Sequence, residues 1–303
     1  MRLEVAKPAM IFQEVRAPAP VSLLFFGPIV AAVLVLLLLP IALIFAESLT
    51  KYVPGHIGAS GAFEPTLENY YGFFSPAYAV LFAKTYWLAF LGAMLSVLIS
   101  FPIAYHLART RNRALRNAVL GLLIMMMFLS ALVRVYSLEL TFGSVGLVGP
   151  LLATFGVATN GRAYLETLVV LGLAHLSIPV AVLILIGTIP NVNPRLAEAA
   201  QSLGASRLAA HLSVTVPLSI QGILSAFLIS FTLGVTAFVI PWILGKGRVN
   251  FISNLIYSRF SEMANYPSGA ALSVAMLVVS LAIIYLISFA AKRVSTGANS
   301  SNR

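Results

Sequence analysis

Between Arg16 and Glu47 the chain runs for thirty residues without a charged side chain. About 20 helical residues cross the roughly 30 Å of a bilayer's hydrocarbon core, so this run dictates a membrane helix. The apolar core of a secretory leader is only about 7–15 residues long, and the run is therefore expected to stay as a first span. Five more uncharged runs follow at 85–108, 117–133 (continuing to about 138 past Arg134), 167–194, 208–245 and 263–291. The fifth has room for a lead-in segment and then a span starting near Pro217. Residues 140–161 are also uncharged but carry Gly143, Gly146, Gly149, Pro150, Gly156 and Gly161. Such a stretch suits a folded connection shielded by protein better than a lipid-facing helix. The expectation is an all-α polytopic membrane protein whose six transmembrane helices occupy residues 21–292.

Composition agrees with that solvent. Apolar residues make up 60 %, charged ones 9 %, and mean hydropathy is +0.97, against about 25 % charged residues in soluble domains. Nineteen Lys and Arg face nine acids, all glutamate, for a net charge of +10. With the N-terminus inside, twelve basic residues and three acids lie on the inner side, seven and six on the outer. Basic residues gather on the cytoplasmic side of membrane proteins, so both termini are expected there. The surplus is then topological and calls for no nucleic acid. Residues 1–20 and 293–303 read as polar cytoplasmic tails, the second rich in Ser, Gly and Asn and compatible with disorder. The chain has no cysteine, which excludes disulfides, thiolate nucleophiles and Cys-based metal sites.

One inner loop is too well formed to be a slack linker. In Leu196-Ala-Glu-Ala-Ala-Gln-Ser-Leu-Gly-Ala-Ser206, the preceding Asn193-Pro194 supplies an N-cap and a proline at the first helical position. Glu198 falls near the positive end of the helix dipole. Gly204 can take the left-handed conformation that closes a helix. Ser206 then caps a second short helix through Leu212. Ala197, Ala199 and Ala200 would let another surface approach the backbone, with Leu196 and Leu203 as apolar anchors. Either the unit packs on its own span ends, or it is a lever for a partner.

The segment Glu198-Ala199-Ala200, then Gly204, then Val216-Pro217-Leu218 resembles the EAA loop of permease subunits in binding-protein-dependent ABC importers. Further segments resemble the spermidine/putrescine permease family in that family's order. They are Leu132-Val-Arg-Val-Tyr136, Ala174-His-Leu-Ser-Ile-Pro179, Phe238-Val-Ile-Pro241, Leu244-Gly-Lys-Gly-Arg-Val249, Asn254-Leu-Ile-Tyr257 and Asn265-Tyr-Pro-Ser-Gly-Ala-Ala-Leu272. The likeness covers about residues 65–292, with the EAA loop at 190–216. Departures are Gln201-Ser202 where the family often has Arg-Asp, Gln221-Gly222 where it often has Pro-Gly, and Gly149 near a common asparagine.

The resemblance implies a MetI-like type I importer fold and a chain that is not itself an enzyme. It implies a second, related permease chain, two ATPase subunits and a periplasmic solute-binding protein in a bacterial inner membrane. Arg195, Leu196, Glu198, Ala199, Ala200, Leu203, Gly204, Ala205 and Ser206 would form the ATPase-coupling element. No cofactor is expected on this chain. It carries no G-x-x-x-x-G-K-[ST] loop, and Gly245-Lys-Gly247 lacks the earlier glycine and the hydroxyl. ATP and Mg2+ would sit on the ATPases.

For the translocation path the candidates are Arg134, Tyr136, Glu139, His175, Phe238 and Trp242. Ionisable residues in or near spans are functional candidates by default. Arg134, Tyr136 and Glu139 at the outer end of the third span read either as interfacial anchors or as pore-mouth contacts, and a frayed helix end would let Arg134 meet Glu139. His175 reads either as an interhelical hydrogen bond, near a carbonyl loosened by Pro179, or as a coupling or solute contact. Pro102 and Pro241 mark kinks. Phe238 and Trp242 either narrow the path or pack. A polyamine would want carboxylates and aromatic faces; Glu139, Glu166, Tyr136, Tyr164 and Phe142 offer them, although Arg134 and Arg162 lie beside them. The residues do not choose a polyamine over another small organic solute. Two rival classes are an intramembrane serine protease, from Gly58-Ala-Ser60-Gly61 with His175 as base, and a self-contained secondary transporter driven by an ion gradient. The first places its serine in a loop; the second would want midplane acids and internal repeats.

Overall fold

The computed structural model describes residues 19–55 and 65–300. All regular structure among them is helical, as the need to satisfy backbone groups within hydrocarbon requires. Helix α1 (Ala19–Ser48) carries the first uncharged run and forms a unit of its own up to Ala46. The second unit holds α2 (Pro76–Arg109), α3 (Arg113–Phe128), α4 (Ala131–Phe142) and α5 (Arg162–Thr188). After them come α6 (Pro194–Ser202), α7 (Arg207–Ala210), α8 (Ile220–Val235), α9 (Val239–Leu244), α10 (Ile252–Tyr257) and α11 (Tyr266–Ser300).

Among the described residues four helices are long and apolar enough to cross a membrane, or up to six spans if each of two bent pairs counts as one. The third expected span is broken: α3 and α4 meet at 101° across extended Leu129 and Ser130. That turn carries Arg134 toward α5 rather than along a straight path. The fifth is bent by 76° at Ser219, separating a lead-in over Arg207–Leu218 from α8. Helices α2 and α5 run unbroken through Pro102 and Pro179, and Pro241 lies within α9. α11 continues beyond Ala291 to Ser300, so much of the stretch expected as a polar tail is helical.

The centre of the second unit is α2, α5 and α8. In α8, Gly222, Ala226, Ser230 and Gly234 recur every fourth residue and are all buried. Small residues at that spacing let membrane helices approach backbone to backbone. A Cβ on Gly92 would lie 2.8 Å from Leu173 Cβ, and one on Gly234 would lie 3.2 Å from Ala89 Cβ. Two serines at these crossings return their hydroxyls to the backbone: Ser177 Oγ donates to Leu173 O at 2.8 Å, and Ser100 Oγ to Ile178 O at 3.3 Å. The loop holding α6 and α7 follows α5, and the broken segments α9 and α10 follow α8.

Candidate functional site

The loop after α5, expected from the resemblance to be the coupling element, folds as its residues dictate. Asn193 Oδ1 accepts from Arg195 N at 3.1 Å, and Pro194 opens α6. Gly204 sits at φ +96°, where an L side chain is strained, and Ala205 N donates back to Ala200 O at 3.1 Å. Ser206 Oγ accepts from Ala209 N at 3.2 Å and starts α7. A π turn over His211–Thr215 then leads into Val216–Leu218.

The outward face is Arg195, Leu196, Glu198, Ala199, Leu203, Gly204 and Ser206, all exposed, with Leu203 at 90 %. Ala200 and Ala205 are half-buried. Ala197 is buried at 4 % and therefore faces the protein, which corrects its assignment to the close-approach surface.

Sequence reasoning missed what holds this element. Arg109, the last residue of α2, donates from Nη2 to Val192 O and, at 3.3 Å, to Ile189 O, just ahead of α6. Its guanidinium lies 5.8 Å from the Tyr105 ring centre, and the Tyr105 and His211 rings meet edge to face at 4.8 Å. His211 Nδ1 is 3.1 Å from Thr215 Oγ1. Arg109 had been counted with its neighbours as a topology signal, and nothing local marks its partners 80 and 83 positions away.

The path candidates are rearranged more strongly. Arg134 is neither an interfacial anchor nor open to a pore mouth: it is 7 % exposed, and its Nη2 donates to His175 O at 2.5 Å. Pro179 has no N–H to give that carbonyl four residues back, and the guanidinium takes its place. The His175 ring is half-buried on α5. Tyr136 is 54 % exposed.

Glu139 does not meet Arg134. Its Oε1 pairs with Lys246 Nζ at 2.7 Å, and Lys246 also reaches Ser144 Oγ at 3.0 Å. Glu166 pairs with Lys84 at 2.8 Å and Arg162 at 3.3 Å. Both carboxylates offered for an ammonium group thus already have cations, Glu139 from Lys246 and Glu166 from Lys84 and Arg162. Tyr164 is likewise engaged, donating to Phe142 O at 2.5 Å.

Phe238 and Trp242 lie together with Tyr257, ring centres 4.8–5.7 Å apart. Trp242 and Tyr257 are 48 % and 43 % exposed. The cluster surrounds the break between α8 and α9, where helical pairing stops. Ser253 Oγ donates to Ala237 O at 2.7 Å, the carbonyl that Pro241 has no N–H to serve, and Asn254 Nδ2 donates at 3.0 Å to Phe238 O, which also accepts from Trp242 N at 3.2 Å. Asn254 Oδ1 in turn accepts from Phe251 N at 2.9 Å, and Thr85 Oγ1 from Ile252 N at 3.1 Å. Irregular backbone at such depth needs this kind of support.

Among the described residues no three His or Glu side chains converge on a metal-sized site. Ser60 lies outside the described residues, as do residues 1–18.

Comparison with known proteins closes the question of family. Residues 96–296 match the model for the binding-protein-dependent transport system inner membrane component. The chain is 28 % identical over 227 residues to the spermidine/putrescine transport system permease protein PotB of Haemophilus influenzae, covering 74 % of this chain and 79 % of that protein. It is 26 % identical over 230 residues to PotB of Escherichia coli K12, covering 75 % and 83 %. Among solved structures, a chain of a bacterial alginate ABC transporter in complex with a periplasmic protein superposes with a TM-score of 0.69 at 17 % identity, covering 91 % of this chain and 96 % of that one. With the fold, these findings place the chain in the MetI-like family of binding-protein-dependent transport system inner membrane components, as an ABC importer permease with polyamine permeases among its relatives.

Proposed function

We propose that this chain forms half of the translocation path for a polyamine or a similar small organic solute, in a bacterial inner membrane with both termini cytoplasmic. A related but different permease chain supplies the other half, a periplasmic binding protein delivers the solute, and two ATPase subunits drive the cycle. ATP and Mg2+ belong to those ATPases. The observation that carries the reading is the α6–α7 unit: capped at both starts, closed by a left-handed glycine, and presenting Glu198, Ala199 and Leu203 outward. In a cleft of an ATPase, Leu203 would be the apolar anchor, Ala199 would permit close fit and Glu198 would make polar contact. Arg109 and the Tyr105–His211 contact would pass its displacement to α2 and the lead-in to α8. Such an element couples two sites when it moves as a body between two positions.

The polyamine reading draws on the PotB relatives and on the half-exposed Phe238–Trp242–Tyr257 cluster, whose ring faces attract ammonium groups. A self-contained gradient-driven carrier is set aside by family membership, and the protease by the same finding.

Co-purification from mild detergent tests the coupling role. The parent should bring down an ATPase subunit, and a Glu198→Arg, Leu203→Glu variant of equal abundance should lose it by about tenfold or more, as expected when a central anchor is removed. Equal recovery with both proteins would sink the reading. Uptake of labelled polyamine by cells with and without the chain tests the solute.

A further inference from the structure

We propose that Glu139 and Ser144 form a subsite for a primary alkylammonium group, and that Lys246 occupies it in cis until substrate replaces it. The inference rests on the polyamine reading and assigns it a residue-level site.

A lysine side chain is an aminobutyl group on a backbone, the same unit that ends a linear polyamine. Here it is held as a ligand would be: Nζ lies 2.7 Å from Glu139 Oε1 and 3.0 Å from Ser144 Oγ. The pairing is not a casual surface contact. Glu139 has a side-chain exposure of 18 %, and its second oxygen, Oε2, is buried without a hydrogen-bond partner among the described residues. An acceptor of that kind has capacity that one lysine does not fill.

The backbone under Lys246 is shaped to aim it. Lys246 sits at φ +47°, a left-handed conformation uncommon for a non-glycine residue, with Gly247 beside it at φ +71°. Residues held this way persist where the surroundings over-determine them. The turn has its own bonds: Gly245 N to Pro241 O at 3.0 Å, Arg248 N to Gly245 O at 2.9 Å, and Arg248 Nη1 to Asn160 O at 2.5 Å. Lys246 can therefore leave Glu139 without the turn unfolding. Its side chain is 30 % exposed, so the pair is reached by solvent on that side.

Exchange of one ammonium for another needs a reason to proceed. A tethered lysine competes at a high effective concentration, which a dilute free amine does not match. A solute handed over by a docked binding protein arrives at comparable local concentration, and its second ammonium adds contacts that lysine lacks. The lysine thus keeps the site closed to stray monoamines and open to delivered substrate.

The test is equilibrium binding of labelled putrescine and butylamine to the complete permease–ATPase complex in lipid nanodiscs, with the binding protein omitted. Lys246→Met keeps the stem and removes the charge. Loss of the intramolecular competitor should tighten putrescine binding by about tenfold or more over the parent, and adding Glu139→Gln should abolish the gain. Lys246→Arg, with a cation retained, should bind no better than the parent. No gain in Lys246→Met, or a gain that survives Glu139→Gln, overturns the subsite. Polyamine uptake by the parent complex with its binding protein separates the two failures. Uptake without a Lys246→Met effect rejects the subsite and keeps the solute reading; a Glu139-dependent Lys246→Met effect on both amines without any polyamine uptake keeps an ammonium subsite and rejects the polyamine assignment.

Discussion

The contacts that shape the C-terminal end of α5 and those that shape its N-terminal end differ in reach. After the C-terminal end, the coupling loop is built from bonds two to four residues long: Asn193 to Arg195, Ser206 to Ala209, Ser202 to Glu198. Around the N-terminal end, beside the local Arg162–Glu166 pair and the Tyr164–Phe142 bond, three bonds join residues 82 to 102 positions apart: Lys84 to Glu166, Arg248 to Asn160, Lys246 to Ser144. A unit folded by its own neighbours can be displaced as a body, with Arg109 and the Tyr105–His211 contact as its ties to the bundle. A surface knitted from distant segments changes only when several elements part together. The first arrangement suits the lever proposed above.

The largest effect should come from a contact that belongs to neither end. Arg134 on α4 supplies the bond that Pro179 denies to His175 O. Arg134→Met would leave that carbonyl unpaired among packed helices, at about 1–3 kcal/mol. Pro179→Ala restores an N–H at the right place in the helix, so the loss in that background should be much smaller. Thermal unfolding of the four proteins in one detergent gives the coupling directly. Additive losses would mean that Arg134 acts through packing and not through the proline-freed carbonyl.

A smaller effect should isolate the local character of the coupling loop. A Cβ on Gly204 meets nothing within 4 Å, so Gly204→Ala adds no clash and only forces alanine into a left-handed conformation. That costs about 1–2 kcal/mol, and Gly204→Asn should cost less, since asparagine tolerates the region. Exchange of the Ala205 amide, bonded to Ala200 O, should quicken about tenfold in Gly204→Ala, the equivalent of about 1.4 kcal/mol, with amides of α2 unchanged. Quickening that spreads into α2 would show the loop is not an independent unit.

The same difference in reach decides what could be read from the residues. The order of spans and the caps at Asn193, Gly204 and Ser206 were legible because hydropathy and helix ends are properties of adjacent residues. The third span reads as one run because no proline, glycine or charge falls between Met127 and Ala131, so the bend there leaves no local mark. Local sequence shows Lys246 only as part of a failed nucleotide loop and offers Glu139 no nearer cation than Arg134, five positions away, because partners more than 100 positions apart leave no mark on it. The small-residue stripe of α8 is the exception: its four-residue spacing stands in the sequence and would have named the packing face.

The smallest effect concerns the more open of the two paired carboxylates. Glu166 and Lys84 retain side-chain exposures of 29 % and 35 %, and Arg162 beside them 59 %. Pairs in such contact with solvent contribute up to about 1 kcal/mol, so Glu166→Gln, which keeps an acceptor for Lys84, should lower stability by that amount or less. The loss should shrink as salt rises toward about 1 M, where the screening length falls to about 3 Å. Glu139→Gln is the control that sharpens the contrast, because its carboxylate is more enclosed and one oxygen is fully buried. Its loss should be larger and should persist in salt. Unfolding midpoints for both variants across a salt series distinguish a screened surface pair from an enclosed one. If the two variants respond to salt alike, the enclosure of Glu139 has no energetic consequence, and the contrast between an open pair and an occupied ammonium site fails with it.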